Sequence, residues 1–250
     1  MNQINPLLED TLKSKLELET RLCSGFEMSD VTLIKKALSI ALEVESTKTM
    51  RPRGIDVATI LMKLGPDVQT IQAALLSEPR IRKSLELSFI EQHFGKTVAS
   101  LVKNINWLNT FGAYSKDIIN APEQAEILRQ MLLAMVDDVR AVIVKLAYRI
   151  QRLRNLPGED YKARLYIARE TLDIYAPLAS RLGIAQLKWE LEDLAFRYLE
   201  PRTYKTLATS LTENRVDREH YLSKFIDHPS KPLDERGDKS QSVWTAKTYL

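Results

Sequence analysis

A chain of 250 residues with 44% hydrophobic and 28% charged residues has the composition of an ordinary globular protein, long enough for one large or two small domains. The 36 basic and 33 acidic side chains give a net charge of only +3, so charge alone predicts no nucleic-acid partner. The single cysteine, Cys23, excludes an intrachain disulfide and fits a reducing cytosol. No run of 18 apolar residues or secretion signal is visible, so we expect a cytoplasmic protein.

Apolar side chains recur at three- and four-residue steps along nearly all of the chain, and this spacing predicts helices. Asp30 and Asp67 are suited to cap two of them. In the segment 81–93 the predicted apolar side consists of Leu85, Phe89 and Ile90. In the first half, helices are predicted over 6–23, from Val31 to the polar stretch at 45–49, and over 55–64. Further helices are predicted from Asp67 through Leu76, over 81–93, and around Val98 to Leu108.

The second half begins with residues 109–122, which have no clean period and are predicted to be a surface loop. Further helices are predicted over 128–149, from Leu165 to just before Pro177, from Leu187 to just before Pro201, and over 202–227. No alternating run is long enough for a strand, and the 8 glycines lie at the boundaries between predicted elements. The sequence therefore predicts an all-α fold.

The strongest apolar stripe runs from Leu128 to Arg149 and should form one helix of about six turns in the middle of a domain. Its members recur on one helix face: Leu128, Leu132, Met135, Val139, Val142, Leu146 and Ile150. Asp137 and Asp138 interrupt the stripe, but neighbours on a helix point about 100° apart, so they are poor partners for acid–base catalysis. Arg140, Lys145 and Arg149 could hold a phosphate, although ion pairs on a polar helix face are the more ordinary expectation.

Three segments carry a resemblance to a known family. They are QAALLSEP followed by FGKTVASLV within 72–102, the run MLLAMVDDVRAVIVKLAYR at 131–149, and ETLDIYAPLASRLGIAQLKWELEDLAFRYLEP at 170–201. Together they resemble the long RelA/SpoT homologues, the bacterial enzymes that make and degrade the alarmone ppGpp. The resemblance covers roughly residues 30–228. It implies an HD-type multi-helix domain followed by a helical connector toward a synthetase domain.

On this basis the chain is divided into four predicted parts. Residues 1–29 are a helical extension, 30–160 an HD-type hydrolase-like domain, and 161–228 the connector. Residues 229–250 are a tail of low hydrophobicity that we expect to be disordered. The tail matches nothing in the family as written, yet codons can be chosen for it that read GRPKHIY, a synthetase motif, when shifted by one base. We therefore infer a frameshift near His228.

The resemblance also implies where a metal site would lie. In the active hydrolases one divalent ion, usually described as manganese, is held by a histidine, a His-Asp pair and a distant aspartate. An open position on the ion lets it activate water. The first histidine corresponds here to Arg53, the His-Asp pair to Ser77 and Glu78, and the last aspartate to Tyr148.

An assisting Glu-Asp pair of the active hydrolases corresponds to Ile81 and Arg82 in this chain. Only Glu78 could still bind a metal, and an arginine at position 53 would repel the ion. We therefore expect no metal, no cofactor and no catalytic residue, as in the synthetase-dedicated RelA branch. Without the family, Arg53 is simply a turn residue, Ser77-Glu78-Pro79 a helix end and Tyr148 a helix residue.

Three functional hypotheses follow. The first is the N-terminal part of a RelA-type ppGpp synthetase of the stringent response, silent alone, which packs against the synthetase domain in the intact parent. The second is a standalone helical module that binds a partner in alarmone metabolism, and the third a hydrolase with an atypical metal site. We expect no membrane and no direct nucleic-acid partner. Trp189 lies among charges without a basic patch, so we predict that it packs rather than stacks on bases.

Overall fold

In a computed structural model, the described residues are 16–43, 51–81, 85–111, 126, 130 and 138–210. Helices account for nearly all of this part of the chain, and it contains no strand, so the all-α prediction is confirmed. The helices are α1 (16–23), α2 (Met28–Glu43), α3 (Gly54–Leu61), α4 (Val68–Leu76), α5 (Leu87–Phe94), α6 (Lys96–Phe111), α7 (Val139–Arg154), α8 (Tyr161–Glu170), α9 (Ala176–Arg181), α10 (Ala185–Leu199) and α11 (201–210).

Helix α4 lies at the centre of the fold. Every residue from Thr70 to Leu76 is buried, and the helix packs against α2, α3, α6 and α7. A surface helix would show one apolar stripe, whereas α4 is covered on all sides. Asp67 begins the helix as predicted, because its carboxylate accepts a hydrogen bond from the Thr70 N–H at 2.7 Å.

The prediction of one long helix over 128–149 is wrong at its middle. Asp138 has an extended backbone, with φ −135° and ψ 114°, and caps α7 by accepting the N–H of Arg140 at 2.9 Å. Val139, a predicted member of the apolar stripe, is 47% exposed. From Val142 onward the stripe is confirmed, since Val142, Leu146 and Ile150 are buried. A local capping preference of aspartate therefore overrides the apolar periodicity. The residues 131–137 lie outside the described part.

Two predicted boundaries in the first half are also wrong. Helix α2 begins at Met28, so Asp30 lies inside its first turn instead of capping it; an acidic side chain there still faces the positive end of the helix dipole. The segment predicted over 81–93 is helical in α5 only from Leu87. Ile90 is buried there, whereas Phe89 is 37% exposed and stacks on His93.

Pro177 does not end a helix, contrary to prediction. Helix α8 begins earlier than predicted, at Tyr161, and it continues through a π-helical turn, Thr171–Tyr175, into α9. In that turn the Ala176 N–H donates to the Thr171 carbonyl, five residues back. The wider turn accommodates a proline that has no N–H to donate and whose ring would crowd an α-helical carbonyl.

The remaining predictions have mixed outcomes. Gly183, with φ +71°, separates α9 from α10 as predicted, and residues 201–210 are helical where a last helix was expected. Residues 109–111 belong to α6, so the predicted loop starts too early. Its other residues, 112–122, and the tail 229–250 lie outside the described part, and the division into domains stays a prediction. No described helix has the length and apolar character needed to cross a membrane.

The chain contains two compact units, Met1–Pro201 and Arg202–Leu250. The helices α1 to α10 and their core belong to the first unit. In the second unit the described residues are 202–210, which are helical and mostly exposed. Every site discussed below lies in the first unit.

Candidate functional site

The first two positions of the implied site lie at opposite ends of two adjacent helices. Arg53 is the N-cap of α3, and Ser77 is the C-cap of α4, directly before Glu78. Their proximity follows from the contact between Gly54 and α4. A Cβ atom built on Gly54 would lie 2.7 Å from the Leu75 carbonyl oxygen and 2.8 Å from that of Ala74. Only glycine allows this approach.

Glu78 is buried, with 3% of its surface exposed, and both of its carboxylate oxygens are engaged. Oε2 accepts the Gly54 N–H at 2.9 Å. Oε1 forms an ion pair with the Arg80 guanidinium, which sequence reasoning did not single out. The carboxylate therefore joins the start of α3 to the end of α4 and neutralises a neighbouring cation.

Arg53 turns toward its own helix. Its guanidinium and backbone N–H both donate to the Asp56 carboxylate, with the Nη2–Oδ1 distance at 3.1 Å. The hydrogen bond to Asp56 is the main reason why the pKa of Arg53 is raised, and the nearby Glu78 carboxylate contributes. Arg53 is thus a permanent cation within the electrostatic range of Glu78.

Tyr148, on α7, completes the group. Burial raises the pKa of its hydroxyl; the cations Arg51, Arg152 and Arg149 oppose that shift, and Glu78 reinforces it. The carboxylate of Glu78 is therefore within electrostatic range of the Tyr148 hydroxyl. Contacts among α3, α4 and α7 place Arg53, Glu78 and Tyr148 close to one another; that these positions correspond to metal ligands stays a prediction.

Ser77 and Ile81 have structural roles. The Ser77 hydroxyl donates to the Ala74 carbonyl at 3.2 Å and is buried at the last turn of α4. Ile81 is an apolar core residue, and its N–H donates to the Glu78 carbonyl at 3.0 Å. Arg82 lies outside the described residues. Neither Ser77 nor Ile81 therefore offers a metal ligand.

Comparison with known proteins agrees with this arrangement of helices. The HD-domain family matches residues 31–185. The chain belongs to the HD-domain family.

Within that family the chain is a homologue of RelA/SpoT-type enzymes. It is 41% identical over 192 residues to a GTP pyrophosphokinase of Escherichia coli K12, and the match covers 76% of this chain and 26% of that protein. A GTP pyrophosphokinase of Myxococcus xanthus is 36% identical over 219 residues, 85% of this chain and 29% of that protein. The chain thus spans about a quarter of the length of these relatives.

Overall similarity does not separate synthetase from hydrolase. A protein of Synechocystis named probable guanosine-3′,5′-bis(diphosphate) 3′-pyrophosphohydrolase is 42% identical over 173 residues, 69% of this chain and 22% of that protein. The matched region is thus similar both to proteins named pyrophosphokinase and to one named pyrophosphohydrolase. The distinction must therefore come from individual side chains at the site.

The residues present at this HD-domain site do not fit a divalent metal. Among the described residues no group of three or more histidine, cysteine, aspartate or glutamate side chains is placed to hold an ion. Glu78 is the one matching carboxylate; one of its oxygens accepts the Gly54 N–H and the other forms the ion pair with Arg80. A metal would have to displace these donors beside the permanent cation of Arg53.

Directly after Tyr148, at Arg149, a buried ionic network joins α7 to α8. The Arg149 guanidinium pairs with Glu170 at 2.7 Å and stacks over the Tyr175 ring at 4.0 Å, and both ionic side chains are under 10% exposed. Arg149 was expected on a polar face, so its burial corrects that expectation. Sequence reasoning missed Glu170; an acid among the apolar side chains of this segment was the available signal.

Lys145 also lies inside the protein instead of on a polar face. Its ammonium donates to Asn109 Oδ1 at 2.8 Å and lies 5.2 Å from the centre of the Tyr148 ring. Burial lowers the pKa of Lys145 to about 7; the Arg149 cation adds to this shift and Glu170 opposes it. Arg140, by contrast, forms the predicted ion pairs, with Asp67 and Asp138.

Proposed function

We propose that this chain is the hydrolase-like domain of a RelA-type GTP pyrophosphokinase of the stringent response, and that it does not itself hydrolyse ppGpp. The observation that carries the proposal is the engagement of Glu78. Its two oxygens hold Gly54 and Arg80 in place. The carboxylate therefore stabilises the helices that would otherwise frame a metal.

The replaced neighbours support the same conclusion. A metal hydrolase needs several ligands and an open position for water. Arg53, Ser77 and Tyr148 supply a cation, a hydroxyl already bonded to the helix, and a phenol whose raised pKa, caused mainly by burial, keeps it protonated. None of the three can replace an imidazole or a carboxylate at neutral pH.

Incubation of the purified chain with ppGpp and manganese tests this proposal. We expect no release of pyrophosphate above the rate without protein, even at micromolar concentrations of the chain. An active bifunctional homologue, assayed in the same buffer, is the positive control. Manganese-dependent release by this chain would overturn the proposal and support a hydrolase with an atypical site.

A stronger form of the test restores the implied ligands together. The variant carries Arg53→His, Ser77→His, Glu78→Asp and Tyr148→Asp. If the loss of ligands is what silences the domain, this variant gains affinity for manganese that the parent chain lacks, measured by calorimetry. Circular dichroism confirms that the variant remains helical, and a variant with Ser77→Ala alone is the matched control.

In the longer protein we assign this domain a restraining or positioning contact with the synthetase domain. The exposed indole of Trp189 supports this assignment, because 66% of its surface is free on α10; the predicted packing of Trp189 within this chain is therefore wrong. Exposed aromatic side chains are frequent anchors of protein interfaces. We place the function in the cytoplasm and assign no nucleic-acid partner.

A binding experiment separates this role from that of a standalone module. The chain is mixed with a separately produced synthetase domain of a RelA-type relative, and association is measured by isothermal titration calorimetry. Saturable binding that Trp189→Ala weakens supports the interdomain role. Binding to a different alarmone enzyme but not to the synthetase domain would favour the standalone module.

A further inference from the structure

A pocket lies at the end of α3 and α4 that is opposite to Glu78. It is a half-open cavity of about 370 Å³ between the α3–α4 turn, the first half of α7 and the turn that joins α9 to α10. Four aliphatic side chains contribute to its lining, Leu61, Leu64, Ile143 and Ile184, and its polar lining residues are Asp67, Thr70 and Arg140. Sites for small molecules commonly have volumes of about 300–1,000 Å³ and mainly apolar walls.

This cavity is separate from the positions of the lost metal ligands. Arg140 lines it, whereas Tyr148 lies two turns further along the same helix, roughly 12 Å away at 1.5 Å per residue. The cavity also contacts Gly183 and Ile184, which lie between α9 and α10 in the segment predicted to be the connector. A molecule bound here would touch α7, the α3–α4 turn and this α9–α10 turn.

The cavity has one cationic side chain, but the donors of that side chain are engaged. The Arg140 Nε and Nη2 atoms donate to Asp138 at 2.9 and 2.6 Å. Its Nη1 atom donates to Asp67 and, at 3.1 Å, to Gln69. With its guanidinium shared between two carboxylates, Arg140 has little capacity left to recognise a phosphate or carboxylate group.

Asp67, in contrast, retains acceptor capacity at the edge of the cavity. The N–H and the side chain of Thr70 and the guanidinium of Arg140 donate to it, while a carboxylate offers about four acceptor positions, so one position remains. Its side chain is 48% exposed. Asp67 and Arg140 line the cavity and Asp138 pairs with Arg140 from outside it; the three together carry a net charge of −1, so this edge favours a cation over an anion.

We propose that this cavity binds a small molecule with an apolar body and one cationic nitrogen group, an amine or amidine. The apolar body occupies the space between the aliphatic side chains, and the cationic group donates to the Asp67 carboxylate. This assignment does not depend on the proposed function, because it uses none of the residues around Glu78.

Three probes of the same shape and different charge test the proposal. Benzamidine is cationic, benzamide neutral and benzoate anionic at pH 7. Binding to the full chain is measured by ligand-observed NMR and by titration of backbone amide shifts. We expect saturable binding of benzamidine, weaker binding of benzamide, and none of benzoate. Equal binding of all three, or no binding of benzamidine, overturns the proposal.

Two variants locate the bound probe. Asp67→Asn keeps a side chain that caps α4 equally well but removes the charge. It should weaken the binding of benzamidine roughly fivefold and leave the binding of benzamide unchanged. Ile143→Trp fills the cavity and should abolish binding of both. Glu192→Gln, which removes an exposed acid on α10, is the matched control and should change nothing. Unchanged benzamidine affinity in a correctly folded Asp67→Asn or Ile143→Trp variant would contradict the assignment.

Discussion

At the scale of single residues, Gly54 fixes how closely α3 and α4 approach. Its missing side chain lets the N–H of Gly54 reach Glu78 while the carbonyls of Ala74 and Leu75 lie against its Cα. Glycine is used here for space and not for an unusual φ, since its backbone is helical. The position of Glu78 therefore depends on this one residue.

Gly54→Ala should lower the free energy of unfolding by about 2–3 kcal/mol, because the new methyl group would clash with backbone atoms that cannot move independently. Urea denaturation followed by circular dichroism measures the change. Gly65→Ala is the control: Gly65 has φ +64° and open space around it, so only backbone strain of about 1 kcal/mol is expected. Equal losses in the two variants would contradict the steric explanation.

Lys145 should make stability depend on pH. The pKa of Lys145 is lowered to about 7 in the folded chain, mainly by burial, against about 10.4 when unfolded. Between about pH 7 and 10.4 the unfolded chain holds the Lys145 proton and the folded chain does not, so the free energy of unfolding rises with pH. This stability is therefore fully present above about pH 10.4 and is lost as the pH falls to about 7.

Lys145→Met should therefore stabilise the chain relative to wild type at pH 7, and the difference should shrink by up to about 1.4 kcal/mol per pH unit toward pH 10. Denaturant midpoints at several pH values measure this. Lys188→Met, at a partly exposed position on α10, should show no such trend. A pH-independent effect of Lys145→Met would mean that the buried amine does not titrate in this range.

At the scale of secondary structure elements, the ion pair between Arg149 and Glu170 joins α7 to the end of α8. The π-helical turn follows Glu170 directly and places Tyr175 under the guanidinium. Buried pairs of this kind add little net stability, but the loss of one partner leaves an uncompensated buried charge.

Glu170→Gln should destabilise the chain by about 3–5 kcal/mol, and Arg149→Met by a similar amount. The double variant should be markedly less destabilised than the sum of the two, because no charge is then left without a partner. A double-mutant cycle from urea unfolding measures the coupling. Strict additivity would show that the two side chains act independently.

At the scale of the whole molecule, the helices of an HD domain enclose a site that has no ligand set for a metal among its described residues. A ligand that binds only the folded state raises the melting temperature. Manganese at 1 mM should therefore leave the melting temperature of this chain unchanged within about 1 °C. A metal-dependent homologue is the control, and a clear manganese-dependent rise for this chain would contradict the prediction.

The helical class and the family could be read from the sequence, because apolar periodicity and family motifs are local patterns. The sequence also located several caps, such as Asp67, whose short side chain bonds its own helix. It failed at Asp138, where a cap interrupts an apolar stripe, and at Pro177, where a π-helical turn carries the chain past a proline.

Which polar side chains are buried, and what they contact, depends on tertiary packing. Arg149 and Lys145 look like surface residues in the sequence, yet one pairs with Glu170 and the other with Asn109 inside the protein. The engagement of Glu78 by Gly54 and Arg80 likewise depends on the packing of α3 against α4. Burial and pairing are properties of distant segments brought together, and no local pattern in the sequence encodes them.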